Sequence, residues 1–110
     1  MSEECAKNRR AVQDTLEVIS GKWKLLIMIT LLEEPSRFKE LSRKVGVTPR
    51  MLSKELQDLE MNKLISRKVL DTRPVSVEYA ITTYGRTLYK VLESMAEWGT
   101  IHRTTLFQSK

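Results

Sequence analysis

Between Ser36 and Glu60 the chain carries two short helical patterns with almost nothing between them, and no other feature narrows the fold as far. Ser36 is placed to cap a helix that holds Phe38, Leu41 and Val45 on one face. Gly46 supplies a turn. Thr48 then caps a second helix, and Pro49 takes the helical position where a missing N–H costs little. Two helices joined by a glycine-containing turn make a helix-turn-helix.

The flanking segments extend this pattern. Val12, Leu16 and Ile19 recur at helical spacing and predict a first helix, ended by Gly21. Trp23 to Leu32 is apolar nearly all round; Ile27, Ile29 and Thr30 are compatible with a strand, but the length favours a buried helix stopped at Glu33-Glu34-Pro35. After residue 64 the period changes. Ile65, Arg67 and Val69 alternate with their neighbours, as do Val75, Val77, Tyr79 and Ile81, which predicts two strands joined at Asp71-Thr72-Arg73-Pro74. Thr82 or Thr83 caps a long last helix with Tyr84, Leu88, Val91, Leu92 and Met95 on one face; Trp98 continues the stripe and Gly99 ends it, with a further short helix over 100–110. The expected fold is mainly α with a small β-hairpin wing (α+β), a winged helix-turn-helix. Residues 1–8 are expected to be a flexible segment and 9–110 the domain.

Several function classes recede on composition. The chain has 110 residues, enough for one domain of typical size. The apolar run Leu25 to Leu32 is far shorter than the roughly 20 residues that span a bilayer, and no signal-peptide pattern opens the chain, so a cytoplasmic protein is expected. His102 is the only histidine and Cys5 the only cysteine, which leaves no Cys/His set for a structural zinc site and no intrachain disulfide. The four glycines stand apart at 21, 46, 85 and 99, so no phosphate-cradling loop exists. These features predict a non-enzyme without metal or cofactor. The net charge of +5 favours a polyanionic partner.

The second helix of the pair, "TPRMLSKELQDLE" over 48–60, sharpens that partner. Arg50 and Lys54 lie toward its N-terminus and Glu55, Asp58 and Glu60 toward its C-terminus, the reverse of what the helix dipole favours. At about 100° per residue, Leu52, Leu56 and Leu59 face the core, and Arg50, Ser53, Lys54 and Gln57 form a stripe roughly 140° away. Two cations, a hydroxyl and an amide are the groups that contact phosphates and base edges. In a helix-turn-helix the N-terminal residues of the second helix enter the major groove of DNA. The preceding helix adds Arg37, Lys39, Arg43 and Lys44 against Glu40 alone, and the hairpin adds Arg67, Lys68 and Arg73. The expected DNA-binding residues are Arg37, Lys39, Thr48, Pro49, Arg50, Met51, Ser53, Lys54, Gln57, Lys68 and Arg73, with double-stranded DNA as the partner. The alternative is a winged-helix protein-interaction module that binds no DNA; the stripe lacks the exposed aromatics usual on such a surface.

Five segments, "ISGKWKLLIMITLL" (19–32), "RFKEL" (37–41), "TPRMLSKELQDLE" (48–60), "RPVSVEYAIT" (73–82) and "YGRTL" (84–88), together resemble the HxlR-type winged helix-turn-helix regulators, relatives of the MarR group. The resemblance runs from about Cys5 to Trp98. It implies a homodimeric bacterial transcription factor on a palindromic operator, with terminal helices at the dimer interface. Val12, Leu16, Met95 and Trp98 would then lie between subunits. Some members of the family sense oxidants or electrophiles through an N-terminal Cys-Pro; Cys5 matches the cysteine, and Ala6 stands where the proline would be. Lys7, Arg9 and Arg10 lie close to Cys5 in sequence, and nearby cations favour the reactive thiolate. No constellation of residues identifies a small-molecule effector.

Overall fold

Local chemistry sets most of the element boundaries in the computed structural model, which describes residues 2–108. Helix α1 spans Glu3–Ile19. Ser2 caps it by accepting the Cys5 backbone N–H at 3.1 Å, and Glu3 and Glu4 meet the positive end of the dipole. The helix therefore starts inside the 1–8 stretch expected to be flexible, because the cap and the two acids lie within that stretch. Gly21, at φ 94°, turns the chain into α2, Trp23–Glu33.

Strand β1, Ser36–Arg37, was not expected. Ser36 is not a helix cap. It is buried in the sheet opposite Tyr79, and its hydroxyl donates to the Glu34 carbonyl at 3.4 Å. Arg37 takes the N-cap position of α3, Phe38–Val45, with no side-chain capping bond. The turn that follows is clamped by Ser42. Its carbonyl accepts from Gly46 N at 3.0 Å and Val47 N at 3.2 Å, and its hydroxyl donates to the Val47 carbonyl at 2.6 Å. Gly46 sits at φ 77°, the left-handed conformation that suits glycine after a helix. Helix α4, Pro49–Met61, then begins as expected, with Thr48 Oγ1 accepting from Met51 N at 3.2 Å.

Strands β2, Ile65–Leu70, and β3, Ser76–Ile81, pair antiparallel from Ile65↔Ile81 to Leu70↔Ser76. With β1 they form a three-stranded sheet in the order β1-β3-β2. Thr82 ties the base of this wing: its hydroxyl donates to the Lys63 carbonyl at 2.7 Å and accepts from Gly85 N at 2.8 Å. A Cβ on Gly85 would lie 2.1 Å from the Leu64 carbonyl oxygen, so only glycine permits this approach. The chain passes through a 3₁₀ turn, Gly85–Leu88, into α5, Tyr89–Gln108.

The core lies between α2, α3, α4 and the sheet. Ile27, Met28, Leu31, Leu41, Leu52, Leu56 and Leu59 are 0–1% exposed, and each such side chain contributes roughly 1.5–3 kcal/mol by leaving water. Helix α5 is different. Leu92 is its one buried residue among those described, Leu88 and Val91 are half-buried, and Tyr84, Met95 and Trp98 are exposed. The apolar stripe read along this helix thus leaves the core after Leu92. Nor does Gly99 end it; α5 continues to Gln108, and 109–110 fall outside the described residues. Gly99 has no positive φ and so makes no left-handed cap. The Cα radius of gyration is 16.7 Å, against about 13 Å for a compact chain of this length, as fits a long helix projecting from the core.

Candidate nucleic-acid interface

The core leucines of α4 fix which side of the helix meets solvent. With Leu52, Leu56 and Leu59 turned inward, Arg50, Ser53, Lys54 and Gln57 are exposed together on the outer side, as the helical wheel predicts. Met51, 41% exposed, borders them. Neither Arg50 nor Lys54 is engaged in an ion pair among the described residues.

The N-terminal end of α4 offers few free N–H groups. Pro49 has none, Met51 N–H is taken by the Thr48 hydroxyl, and Leu52 N–H bonds the Thr48 carbonyl at 2.9 Å. Attraction for an anion at this end therefore rests mainly on the Arg50 and Lys54 side chains. Thr48 and Pro49 shape the entry: Thr48 spends its hydroxyl on capping.

The acids of α4 explain how a cationic face can exist on this helix. Glu55 does not flank the stripe; it is 7% exposed, with its carboxylate 3.2 Å from Lys24 Nζ. Lys24 is buried too, inside the apolar run of α2, and its Nζ also lies 3.3 Å from Asp58 Oδ2. Two negative charges of α4 are thus drawn toward α2, away from the outer stripe. Glu60 remains exposed near the C-terminal end. This charge cluster was missed in the sequence, although one signal pointed to it: a lysine standing alone inside "WKLLIMITLL" must find carboxylates if it is buried.

The other cations divide. Arg37 and Lys39 border a hollow of about 480 Å³ that Thr72, Arg73 and Pro74 close from the wing side, so the start of α3 and the wing tip converge. The wing tip is braced by the Thr72 hydroxyl, which donates to the Pro74 carbonyl at 2.9 Å. Lys68 is not part of that hollow. It stands opposite Glu78, whose other neighbour across the sheet is Arg37, so a carboxylate sits between the two cations. Lys44 is held by Glu34 at 3.3 Å.

Away from this surface, Cys5 is exposed in the first turn of α1. Val12 and Leu16 of α1 are more than half exposed, and so is Trp98 of α5, whose ring stacks on His102 at 4.8 Å. Among the described residues no helix is long and apolar enough to cross a membrane.

Known proteins share this fold. The sequence model of the HxlR-like helix-turn-helix family matches residues 18–106. The chain is 45% identical over 87 residues to an HTH-type transcriptional regulator of Halalkalibacterium halodurans, covering 77% of each protein. Among solved structures, that of the HTH-type transcriptional regulator YtcD superposes with a TM-score of 0.80 at 39% identity, over 84% of this chain and 96% of that one; a relative of that name comes from Bacillus subtilis. The redox regulator HypR in its reduced form gives a TM-score of 0.81 at 38% identity, over 87% of this chain and 96% of the other.

Proposed function

This chain belongs to the HxlR-like helix-turn-helix family of DNA-binding transcriptional regulators, and from that premise we propose that it acts as a homodimer on a palindromic operator, reading bases with the outer face of α4. The observation that carries this reading is the exposed stripe of Arg50, Ser53, Lys54 and Gln57, from which Glu55 and Asp58 are drawn away by Lys24. Arg pairs bidentately with guanine and Gln with adenine in the major groove, and Lys serves phosphates. Arg37, Lys39 and Arg73 would hold the backbone beside it, the wing reaching the adjacent minor groove. The sequence match and the likeness to known regulators favour DNA over a protein partner.

The dimer reading is supported by the terminal helices. Val12, Leu16, Met95 and Trp98 form apolar surface that the protomer leaves uncovered. A second copy packed there by a two-fold axis would set the two α4 helices one DNA turn apart, about 34 Å.

The test is a fluorescence anisotropy titration of duplex taken from upstream of the protein's own gene, against unrelated duplex. Tighter binding upstream, with two protomers per site, is expected. Arg50→Ala should lower affinity for the upstream duplex by about 1–3 kcal/mol and narrow its lead over the unrelated one. An unchanged curve would remove Arg50 from the site.

A second reading concerns redox control. HypR is a redox regulator, and the one thiol of this chain, Cys5, is exposed. Oxidation would join Cys5 to a second thiol, from the partner subunit or a small molecule, two thiols losing two protons and two electrons to an oxidant such as diamide. The expected result is that diamide changes operator affinity in the native protein and leaves Cys5→Ser unmoved. Equal responses in both proteins would refute it.

A further inference from the structure

The Lys24 cluster holds a detail that the core alone does not require. Asp58 follows Lys54 by four residues, the spacing at which opposite charges on a helix meet. Yet Lys54 is unpaired among the described residues, and Asp58 turns instead toward Lys24 Nζ, 3.3 Å away. Burial does not impose this. The Asp58 side chain is 43% exposed, whereas those of Lys24 and Glu55 are 10% and 9% exposed. Glu55 thus anchors Lys24 under the helix, beside the Gly21 turn, and Lys24 has a second contact to offer at the helix flank.

We propose that Lys24 is a positioning residue for DNA contact: by holding Asp58 on the inner flank of α4, it leaves Lys54 free for a phosphate. The inference rests on the assignment of α4 to DNA. If Lys24 is lost, Asp58 becomes an unpaired carboxylate one helical turn from Lys54 and competes with the phosphate for it. The competing pair is an exposed one, so the effect on affinity is modest, about 1.4- to 2.3-fold per protomer and roughly two- to fivefold for a dimer.

The variant must not leave a buried charge alone, so Lys24→Met is combined with Glu55→Gln. Thermal melting confirms that the variants fold, and anisotropy at several salt concentrations reads the rest. The Lys24→Met, Glu55→Gln protein should bind operator duplex two- to fivefold more weakly, with a shallower salt slope. Adding Asp58→Asn should restore both. In a Lys54→Ala background, Asp58→Asn should restore nothing, which separates pairing from general repulsion of phosphates by Asp58. A loss that Asp58→Asn fails to restore would mean Lys24 merely holds the fold, and would overturn the proposal, as would native affinity in the double variant. If Lys54→Ala in the native protein leaves the salt slope unchanged, the assignment of Lys54 to DNA fails, and this inference fails with it.

Discussion

The helix-turn-helix with its wing and the pair of terminal helices obey different physics, although both are rich in apolar residues. In the first region α2, α3 and α4 each bury at least one side chain almost completely, from Ile27 to Leu59, and the two charges buried there answer each other at 3.2 Å. In the second, α1 and α5 bury one residue each, Ile19 and Leu92. Their remaining large apolar groups are half-buried or exposed, with Trp98 at 64% and Phe107 at 69%. The contrast shows that a single protomer closes the DNA-reading unit, while the terminal helices carry apolar surface of a kind that marks an association site.

The sharpest way to break this comparison is to make the same deletion in each region. Leu52→Ala, at a position 0% exposed, should cost the protomer about 2–5 kcal/mol in urea unfolding. Leu16→Ala, more than half exposed, should cost a dilute protomer under about 1 kcal/mol. Equal costs would mean that α1 belongs to the same core. Next in size is Trp98→Glu. If α5 is a subunit interface, a buried charge there should weaken self-association by about 2 kcal/mol or more, read by sedimentation velocity, with the melting of the dilute protein unchanged. A native sedimentation profile would assign this stripe elsewhere. The smallest effect belongs to Arg73→Ala. A phosphate contact should flatten the plot of log affinity against log salt by about 0.9 per protomer and weaken all duplexes alike. Selective loss at one base pair would make Arg73 a base reader.

Much of the DNA-reading unit was legible because its signals are local. Leu52, Leu56 and Leu59 share a face by helical period, Thr48 and Pro49 announce a start, and Gly46 a turn. What was misread depended on distant partners or on opposing terms. Ser36 looks like a cap from its neighbours, but pairing with Tyr79 far along the chain holds it extended in β1. Gly99 looks like a stop, yet glycine inside a helix costs only about 1 kcal/mol relative to alanine, and the turns on either side continue through it. Glu55 reads in the sequence only as one of three acids toward the C-terminal end of the helix; its burial is decided by Lys24 on another helix. The outer stripe of α4 was readable, while the cluster that draws Glu55 and Asp58 off it needed three-dimensional placement. The cations of α3 and the wing stand in the sequence without their spatial division: Arg73 converges with Arg37 and Lys39, whereas Lys68 faces Glu78.

The most direct test of the account is hydrogen–deuterium exchange of the native protein, with and without duplex from upstream of its own gene. New protection on adding DNA is expected in peptides covering α3, α4 and the Asp71–Pro74 tip. If α5 is a subunit interface, it should already exchange slowly without DNA and change little. Protection that falls on α5 upon DNA addition, with α4 unaltered, would contradict the assignment of the outer face of α4 to DNA.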